Sequence, residues 1–338
     1  MNLSPSERRL HNYNGIQIIR FGAHKRVDDT LLDWFEQIVE KHRRLPFDVL
    51  HAYFLTQAGF VASYAGKYLN IPTVVSIRGN DIERAPFDPG KFSHVMFTLQ
   101  NASAVTTNAS VLREKAKAFL DRDISLIPNG IDGELFRPLD RNTILVDALG
   151  FQGQDKIIGF VGELREKKGL SSLLDTYAQV VKTLPASLLL VGDVRAGDDR
   201  KVFEELRSSI PNANIVVTGY VSNVDLPSYY SVMDVLVHPS LRDGMPNAVL
   251  EAMACGRTVV ATQAGGVMDV LLDGKNGRLV SINDINSLSV VIQEVLSDKA
   301  LQSRLGDSAR RTILDKFTLQ NELDGNLAVY CKLGLKTS

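Results

Sequence analysis

Short runs of β-branched residues alternate with amphipathic stretches of helical length along nearly the whole chain, and this rhythm leaves few folds open. It is the pattern of a doubly wound α/β protein. In the first part, strands are predicted over Ile16–Arg20, Asp48–Ala52, Thr73–Ile77, Ala104–Thr107 and Ile124–Ile127. Between them, Thr30–Arg44, Gln57–Leu69 and Ser110–Leu120 read as helices. In the first of these Leu31, Phe35, Ile38, Val39 and His42 share one face. The rhythm breaks at Ile127-Pro-Asn-Gly-Ile-Asp132 and Phe136-Arg-Pro138, where proline and Asn-Gly punctuate a linker. A second series follows, with strands at Ile157–Val161, Ser187–Val191, Ile215–Thr218, Val235–His238, Thr258–Ala261 and Gly277–Val280. Helices over Asp284–Leu296, Leu301–Phe317 and Leu319–Lys332 close the chain. At 338 residues the chain exceeds what one core usually organises. We therefore expect two domains, 1–138 and 139–317, and a closing helical segment, 318–338, that packs back on the first. Two such domains in tandem make a cleft, and ligands of open α/β sheets bind beyond the carboxyl ends of the strands.

Composition removes several classes of function. Lys+Arg 38 against Asp+Glu 39 gives a formal net charge of -1, far from the basic balance of a nucleic-acid binder. Two cysteines, Cys255 and Cys331, cannot build a disulfide scaffold or a thiolate metal cluster. No apolar run reaches the ~18 residues of a spanning helix, and the opening MNLSPSERRL lacks a signal-peptide core. The expectation is a soluble cytoplasmic protein. Lys41-His-Arg-Arg44 reads either as a solvated helix end or as a peripheral contact with an anionic membrane.

Chemistry concentrates after the strand Val235–His238. There Pro239-Ser-Leu-Arg-Asp-Gly-Met-Pro-Asn-Ala-Val-Leu-Glu-Ala-Met-Ala-Cys-Gly256 predicts a helix over Pro246–Cys255. Proline suits its first turn, and Gly256 its stop. The N-terminus of such a helix turns unpaired N–H groups and a positive dipole end outward, which suits a diphosphate. Asp243 lies in the preceding loop and Glu251 about a turn and a half inside the helix. A carboxylate accepts two hydrogen bonds, which matches a ribose diol or sugar hydroxyls. Taken alone, Glu251 reads more simply as a solvated helix residue.

As a whole, the segment resembles the signature of retaining family-four glycosyltransferases, which have two Rossmann-like domains, the GT-B fold. Asp243 and Glu251 stand eight residues apart as its two acids do, and Glu251-Ala-Met-Ala-Cys-Gly256 completes it. The first acid is Asp where the family usually has Glu. The resemblance implies that Glu251 holds the donor ribose. It also implies that Asp243 and the amides of Gly244, Met245, Pro246 and Asn247 meet the donor sugar and diphosphate. Gly159-Phe-Val-Gly-Glu-Leu-Arg-Glu-Lys-Lys-Gly169 resembles the family's Gly-Arg…Lys-Gly pattern, which supplies cations to the donor phosphates. Gly162 and Lys168 match it. Glu163 takes the usual Arg position, so Arg165 must substitute there. Val216-Val-Thr-Gly-Tyr-Val221 resembles the strand and loop that meet the nucleobase, so Tyr220 and Val221 join the donor set.

In the first domain, Asp48-Val-Leu-His-Ala52 resembles the strand before an acceptor-side loop, with His51 as a candidate, although a lone strand histidine is more often structural. Pro72-Thr-Val-Val-Ser-Ile-Arg-Gly-Asn-Asp81 resembles the strand whose end carries a catalytic-site His, replaced here by Arg78. Arginine cannot act as an acid–base group near pH 7. Asn80 and Asp81 either bind sugar hydroxyls or cap a turn. The resemblance covers about residues 48–317. Family members open with a strand and a Gly-rich loop ahead of this region, and residues 1–47 show one strand and no Gly-Gly loop. The expected first-domain sheet is therefore short of its opening unit.

The resemblance thus implies a retaining transferase. It would use a UDP- or GDP-type nucleotide sugar, with no metal or other cofactor, and a glycan, lipid or small-molecule acceptor. The runner-up is a non-catalytic glycosyltransferase-like subunit that binds nucleotide sugar or needs a partner protein. A nucleotide-sugar epimerase of similar shape is third.

Overall fold

The computed structural model describes residues 7–152, 155–211 and 213–336. Asn14 and Gly15 both hold positive φ, 47° and 83°, the backbone of a two-residue hairpin turn. They join β1 (Arg8–Tyr13) to β2 (Ile16–Phe21) in an antiparallel pair with Tyr13 opposite Ile16. A single strand was expected here. The segment Arg-Arg-Leu-His-Asn-Tyr carries little apolar alternation, and Asn-Gly is the signal that reveals its partner.

The chain divides into two compact units. One contains the residues up to Thr106, Lys115–Ser125 and those from Tyr330 on; the other contains Thr107–Glu114 and Leu126–Val329. In the first unit α1 (Val27–Arg44) follows the hairpin, and then β3 (Leu50–Tyr53), α2 (Gln57–Leu69), β4 (Thr73–Ile77), the short α3 (Asn80–Glu83), α4 (Pro89–Asn101) and β5 (Ala104–Thr107). Next along the chain come α5 (Ser110–Lys117), whose first five residues belong to the other unit, and the two-residue β6 (Ser125–Leu126), which straddles the boundary. The sheet order is β3-β4-β5-β6, with β3 and β4 parallel and every residue of β4 buried. The hairpin forms its own two-stranded sheet. At the end of α1, Lys41 bonds the Gln17 amide oxygen at 3.2 Å and Arg44 pairs with Glu40 at 2.6 Å.

The second unit opens with α6 (Thr143–Ala148) and β7 (Ile157–Val161). It continues through α7 (Leu170–Val180), β8 (Ser187–Val191), α8 (Asp198–Ser209), β9 (Ile215–Val217), α9 (Leu226–Val232) and β10 (Val235–His238). Then come α10 (Asn247–Ala254), β11 (Val259–Thr262), β12 (Arg278–Val280), α11 (Ile285–Ser297), α12 (Lys299–Lys316) and α13 (Leu319–Lys332). The six strands run in the order β12-β11-β10-β7-β8-β9, with parallel neighbours. Period-two alternation sorts their side chains onto two faces. Ile157, Leu189, Leu236 and Val259 join one core cluster, with α10 residues; Ile158, Leu188, Val235 and Val260 join the other, with α7 and α11 residues. Among the described residues no helix is long and apolar enough to cross a membrane.

Gly159 shows how tight this packing is. A Cβ there would lie 2.1 Å from Met233 Sδ, whose side chain is buried. Gly159→Ala should therefore destabilise the chain by about 1–3 kcal/mol through overpacking. In a Met233→Ala background the same change should cost clearly less, as read by denaturant unfolding of all four variants.

Candidate functional site

The segment after β10 is held from both sides before it reaches the helix. The Thr262 hydroxyl at the end of β11 donates to the Ser240 carbonyl at 2.5 Å, and the Leu241 N–H donates to Lys167 O at 3.1 Å. Gly265 has φ +59°, and a Cβ on it would lie 1.7 Å from Asp243 O. The next N–H, of Gly266, donates to Gly244 O at 2.8 Å. A side chain at 265 would push this loop away, so only glycine permits the approach.

Asp243, so positioned, forms an ion pair with Lys168, lies 3.2 Å from His238 Nε2, and accepts from the Gly244 N–H at 3.1 Å. Burial acts to raise its pKa. The His238 hydrogen bond and the Lys168 charge outweigh it and hold the carboxyl well below the usual carboxylate range. Asp243 is therefore a fixed anion, and Lys168 a cation held beside the start of α10. Pro246 occupies the N-cap position of α10, one residue earlier in the helix than predicted. It has no N–H, so of the four residues 244–247 only Gly244, Met245 and Asn247 carry one, which corrects the expectation for Pro246. The Asn247 side-chain oxygen accepts from Asn129 Nδ2 at 2.7 Å.

Glu251 is buried in α10, not solvated. The Tyr230 hydroxyl donates to its Oε2 at 2.7 Å, from a fully buried ring. Burial raises the Glu251 pKa against the opposing effect of that bond. Gly162, at φ +129° just beyond β7, donates its N–H to Val191 O at 2.9 Å. Tyr220, 86% exposed, and Val221 line a cavity of about 340 Å³ with Asn142, Asp225 and Tyr229. Arg165 pairs with Glu163 at 3.3 Å, its neighbour in the same loop, and its buried Nε has no hydrogen-bond partner among the described residues. Of the second-unit candidates, the structure joins Lys168 with Asp243 directly and gives Glu251 a separate partner. His238 and Tyr230 were missed by the sequence reading. A histidine at the end of a strand, five residues before an acid, was the available signal for the first.

In the first unit His51 spends both ring nitrogens on structure: Nδ1 lies 2.6 Å from the Tyr330 hydroxyl and Nε2 2.8 Å from Ser76 Oγ. Ser76 Oγ in turn lies 2.6 Å from Thr106 Oγ1. The His51 ring stacks on Tyr53 at 5.1 Å, and the Arg78 guanidinium lies 4.4 Å from the Tyr53 centroid. Burial, followed by the Arg78 charge, pushes the His51 pKa down to about 4. Asp81 is buried and accepts from the N–H groups of Leu55 at 3.0 Å, Gly79 at 2.7 Å and Arg78 at 3.1 Å. Its carboxylate clamps the turn, the capping alternative of the sequence reading. Asn80 and Asp81 line a cavity of about 640 Å³ with Phe54, Thr56, Arg84 and Phe87. Phe54 holds a left-handed φ of 75° and is 49% exposed, a combination that sequence reasoning did not find.

A parallel sheet with a helix starting beyond its carboxyl edge defines an open α/β unit of the kind that takes ligands at that edge. The comparisons narrow that class. Residues 142–312 match Glycosyl transferases group 1, and residues 4–135 match Glycosyltransferase Family 4. The chain belongs to this glycosyltransferase family, and its fold is GT-B. It is 24% identical over 285 residues to the N-acetyl-alpha-D-glucosaminyl L-malate synthase of Bacillus anthracis, covering 83% of this chain and 74% of that one. Among solved structures, the sucrose-phosphate synthase of Thermosynechococcus elongatus matches with a TM-score of 0.83 at 21% identity, over 98% of this chain and 87% of that one. HepE of Anabaena, solved in complex with UDP-glucose, matches with a TM-score of 0.78 at 21% identity, over 88% and 82%.

The half-buried His51 sets a pH dependence of stability. Unfolded, His51 titrates near 6.5; folded, it takes a proton only near 4. The unfolded chain binds more protons between those values, so stability is full above 6.5 and is lost as pH falls toward 4. The melting temperature of His51→Gln should fall less between pH 7 and pH 4.5 than that of the unaltered chain. Equal slopes would assign the loss to other groups.

Proposed function

We propose that this glycosyltransferase is a retaining enzyme. It moves a sugar from a nucleoside-diphosphate donor of UDP or GDP type to a hydroxyl of a glycan, lipid or small-molecule acceptor. The observation that carries the reading is the Lys168–Asp243–His238 cluster beside the N-terminus of α10. Breaking the bond from the sugar C1 to the diphosphate oxygen places negative charge on the leaving group. Fixed cations and N–H dipoles stabilise that charge with little reorganisation. Lys168 and the amides of Gly244, Met245 and Asn247 fill this role, and Arg165 adds a second cation once released from Glu163. Asp243 orients the donor sugar. Glu251, held by Tyr230 through one oxygen, keeps the other for the donor ribose. Tyr220 and Val221 border the nucleobase, and Gly162 leaves room where a side chain would stand. The acceptor oxygen attacks C1 on the face the diphosphate leaves, and its proton passes to the departing phosphate oxygen. This scheme uses no protein nucleophile and no metal. A relative of the same fold solved with UDP-glucose supports the donor class.

On the acceptor side, the first-unit cavity presents Phe54 and Phe87 as apolar surfaces and Asn80 and Thr56 as hydrogen-bonding groups. Arg78, set against Tyr53, is a point for an acceptor or donor oxygen rather than an acid–base group. Arg78 in the histidine position and the Arg165–Glu163 pair are the observations that favour the second reading, a nucleotide-binding subunit without turnover.

Binding and turnover separate the two readings. Glu251→Ala and Lys168→Ala should each weaken UDP or GDP by about 10–150-fold, the ~1.5–3 kcal/mol of a charged hydrogen bond, measured by calorimetry. No binding of either nucleotide by the unaltered chain would defeat the donor assignment. Binding without sugar release or transfer across an acceptor panel would establish the subunit reading. Asp243→Asn should remove transfer while leaving nucleoside-diphosphate affinity unchanged or tighter, since Lys168 loses its competing anion.

A further inference from the structure

A second polar cavity, of about 410 Å³, lies at the opposite edge of the six-stranded sheet from Asp243. Asp234, immediately before β10, and Thr258, immediately before β11, mark its place at the amino ends of those strands. Arg141, Arg257 and Lys299 also line it, and Lys299 is the first residue of α12. We propose that this cavity is a binding site for a small phosphate-bearing anion, separate from the donor site.

The argument rests on where the positive charge goes. Arg257 is half-buried, and among the described residues no carboxylate lies within 4 Å of its guanidinium; Asp234 pairs instead with Arg141 at 3.3 Å. Its hydrogen bonds are long ones to backbone, Nε to Cys255 O at 3.3 Å and Nη1 to Met233 O at 3.5 Å. Burial lowers the Arg257 pKa against the opposing influence of Cys255 and Asp234, and the nearby Arg141 charge adds to the lowering. Asp234 is shared, since its Oδ2 also accepts from the Ile157 N–H at 2.8 Å. Arg141 sends Nη2 to Asp155 O at 2.8 Å, and its buried Nε has no hydrogen-bond partner among the described residues. The second carboxylate of the lining, Asp307, receives the Ser303 hydroxyl at 3.4 Å and forms no ion pair among the described residues. Three cations thus line the cavity with two carboxylates, and its one ion pair, Arg141–Asp234, leaves the half-buried Arg257 and the exposed Lys299 without a carboxylate within 4 Å among the described residues. A desolvated guanidinium is costly unless an anion meets it, and its planar fork fits phosphate oxygens. Lys299, exposed beside it, adds a mobile charge; the start of α12 adds none, because the Asp298 carboxylate already caps it through the Leu301 N–H at 2.9 Å.

Inorganic pyrophosphate is the probe, read by melting-temperature shift and calorimetry on the full chain. The donor site is expected to take pyrophosphate too, so the variants must separate the two sites. In a Lys168→Ala background the pyrophosphate shift should persist. Adding Arg257→Gln should weaken the remaining affinity at least about tenfold. Lys299→Gln, an exposed change that leaves the packing intact, should weaken it by a smaller factor and guards against a folding defect at Arg257. The proposal is overturned if the Lys168→Ala chain shows no response to pyrophosphate, or if its response survives both Arg257→Gln and Lys299→Gln unchanged. Loss of nucleotide binding alone, with the pyrophosphate response kept, would bear on the donor assignment and leave this site standing.

Discussion

The second unit depends on backbone approaching backbone beyond the carboxyl edge of its sheet. Gly265 and Gly266 press on Asp243 and Gly244, and Gly169, at φ +81°, lies so near Pro239 that a Cβ would meet its carbonyl oxygen at 2.0 Å. These contacts fix the strand-to-helix loop against its neighbours on both sides. They set the carboxylate of Asp243 between Lys168 and His238 and aim the start of α10 outward. A loop placed by side-chain packing alone would move by more than a hydrogen bond tolerates, and charge stabilisation at a leaving group depends on that distance.

The two acids of the signature occupy opposite electrostatic settings. Asp243 is held ionised by the His238 hydrogen bond and the Lys168 charge, whereas Glu251 meets a neutral hydroxyl in a buried helix and is pushed toward its protonated form. Their spacing along the chain is that of one motif, yet the environments divide the work. The ionised acid balances a lysine, and the buried acid serves as a hydrogen-bonding post set by Tyr230. The first unit shows the same economy of polar groups. His51 and Asp81, both candidates for acceptor contact, use their side chains to lock β3 and β4 ends and the following turn. Phe54, at the same edge, keeps about half of its surface exposed, and the Arg78 guanidinium lies over the Tyr53 ring.

Much of this was legible in order. The strands at Thr73–Ile77, Ala104–Thr107, Ile157–Val161, Ser187–Val191 and Val235–His238 are found where β-branched runs predicted them, because buried parallel strands leave an unbroken apolar record. β1 was missed because a solvated hairpin needs no such record and is announced only by its turn. The helix α10 was placed to within a residue at each end by its proline and glycine. Tyr230 was not legible, since it lies in α9, 21 residues from the acid it holds, and nothing local distinguishes it from a core tyrosine.

The sequence by itself determined the α/β class, the second unit's strands and the position of its acid-rich helix. Those depend on local periodicity, capping and a motif that is contiguous in the chain. The tertiary structure alone decided which charges meet. Lys168 reaches Asp243 across 75 residues, Arg165 turns to Glu163, and Arg257 lines a cavity in which Asp234 pairs with Arg141 instead. Ion pairing and desolvation depend on distance in space, and residue order does not encode that until the sheet has brought its strand ends together.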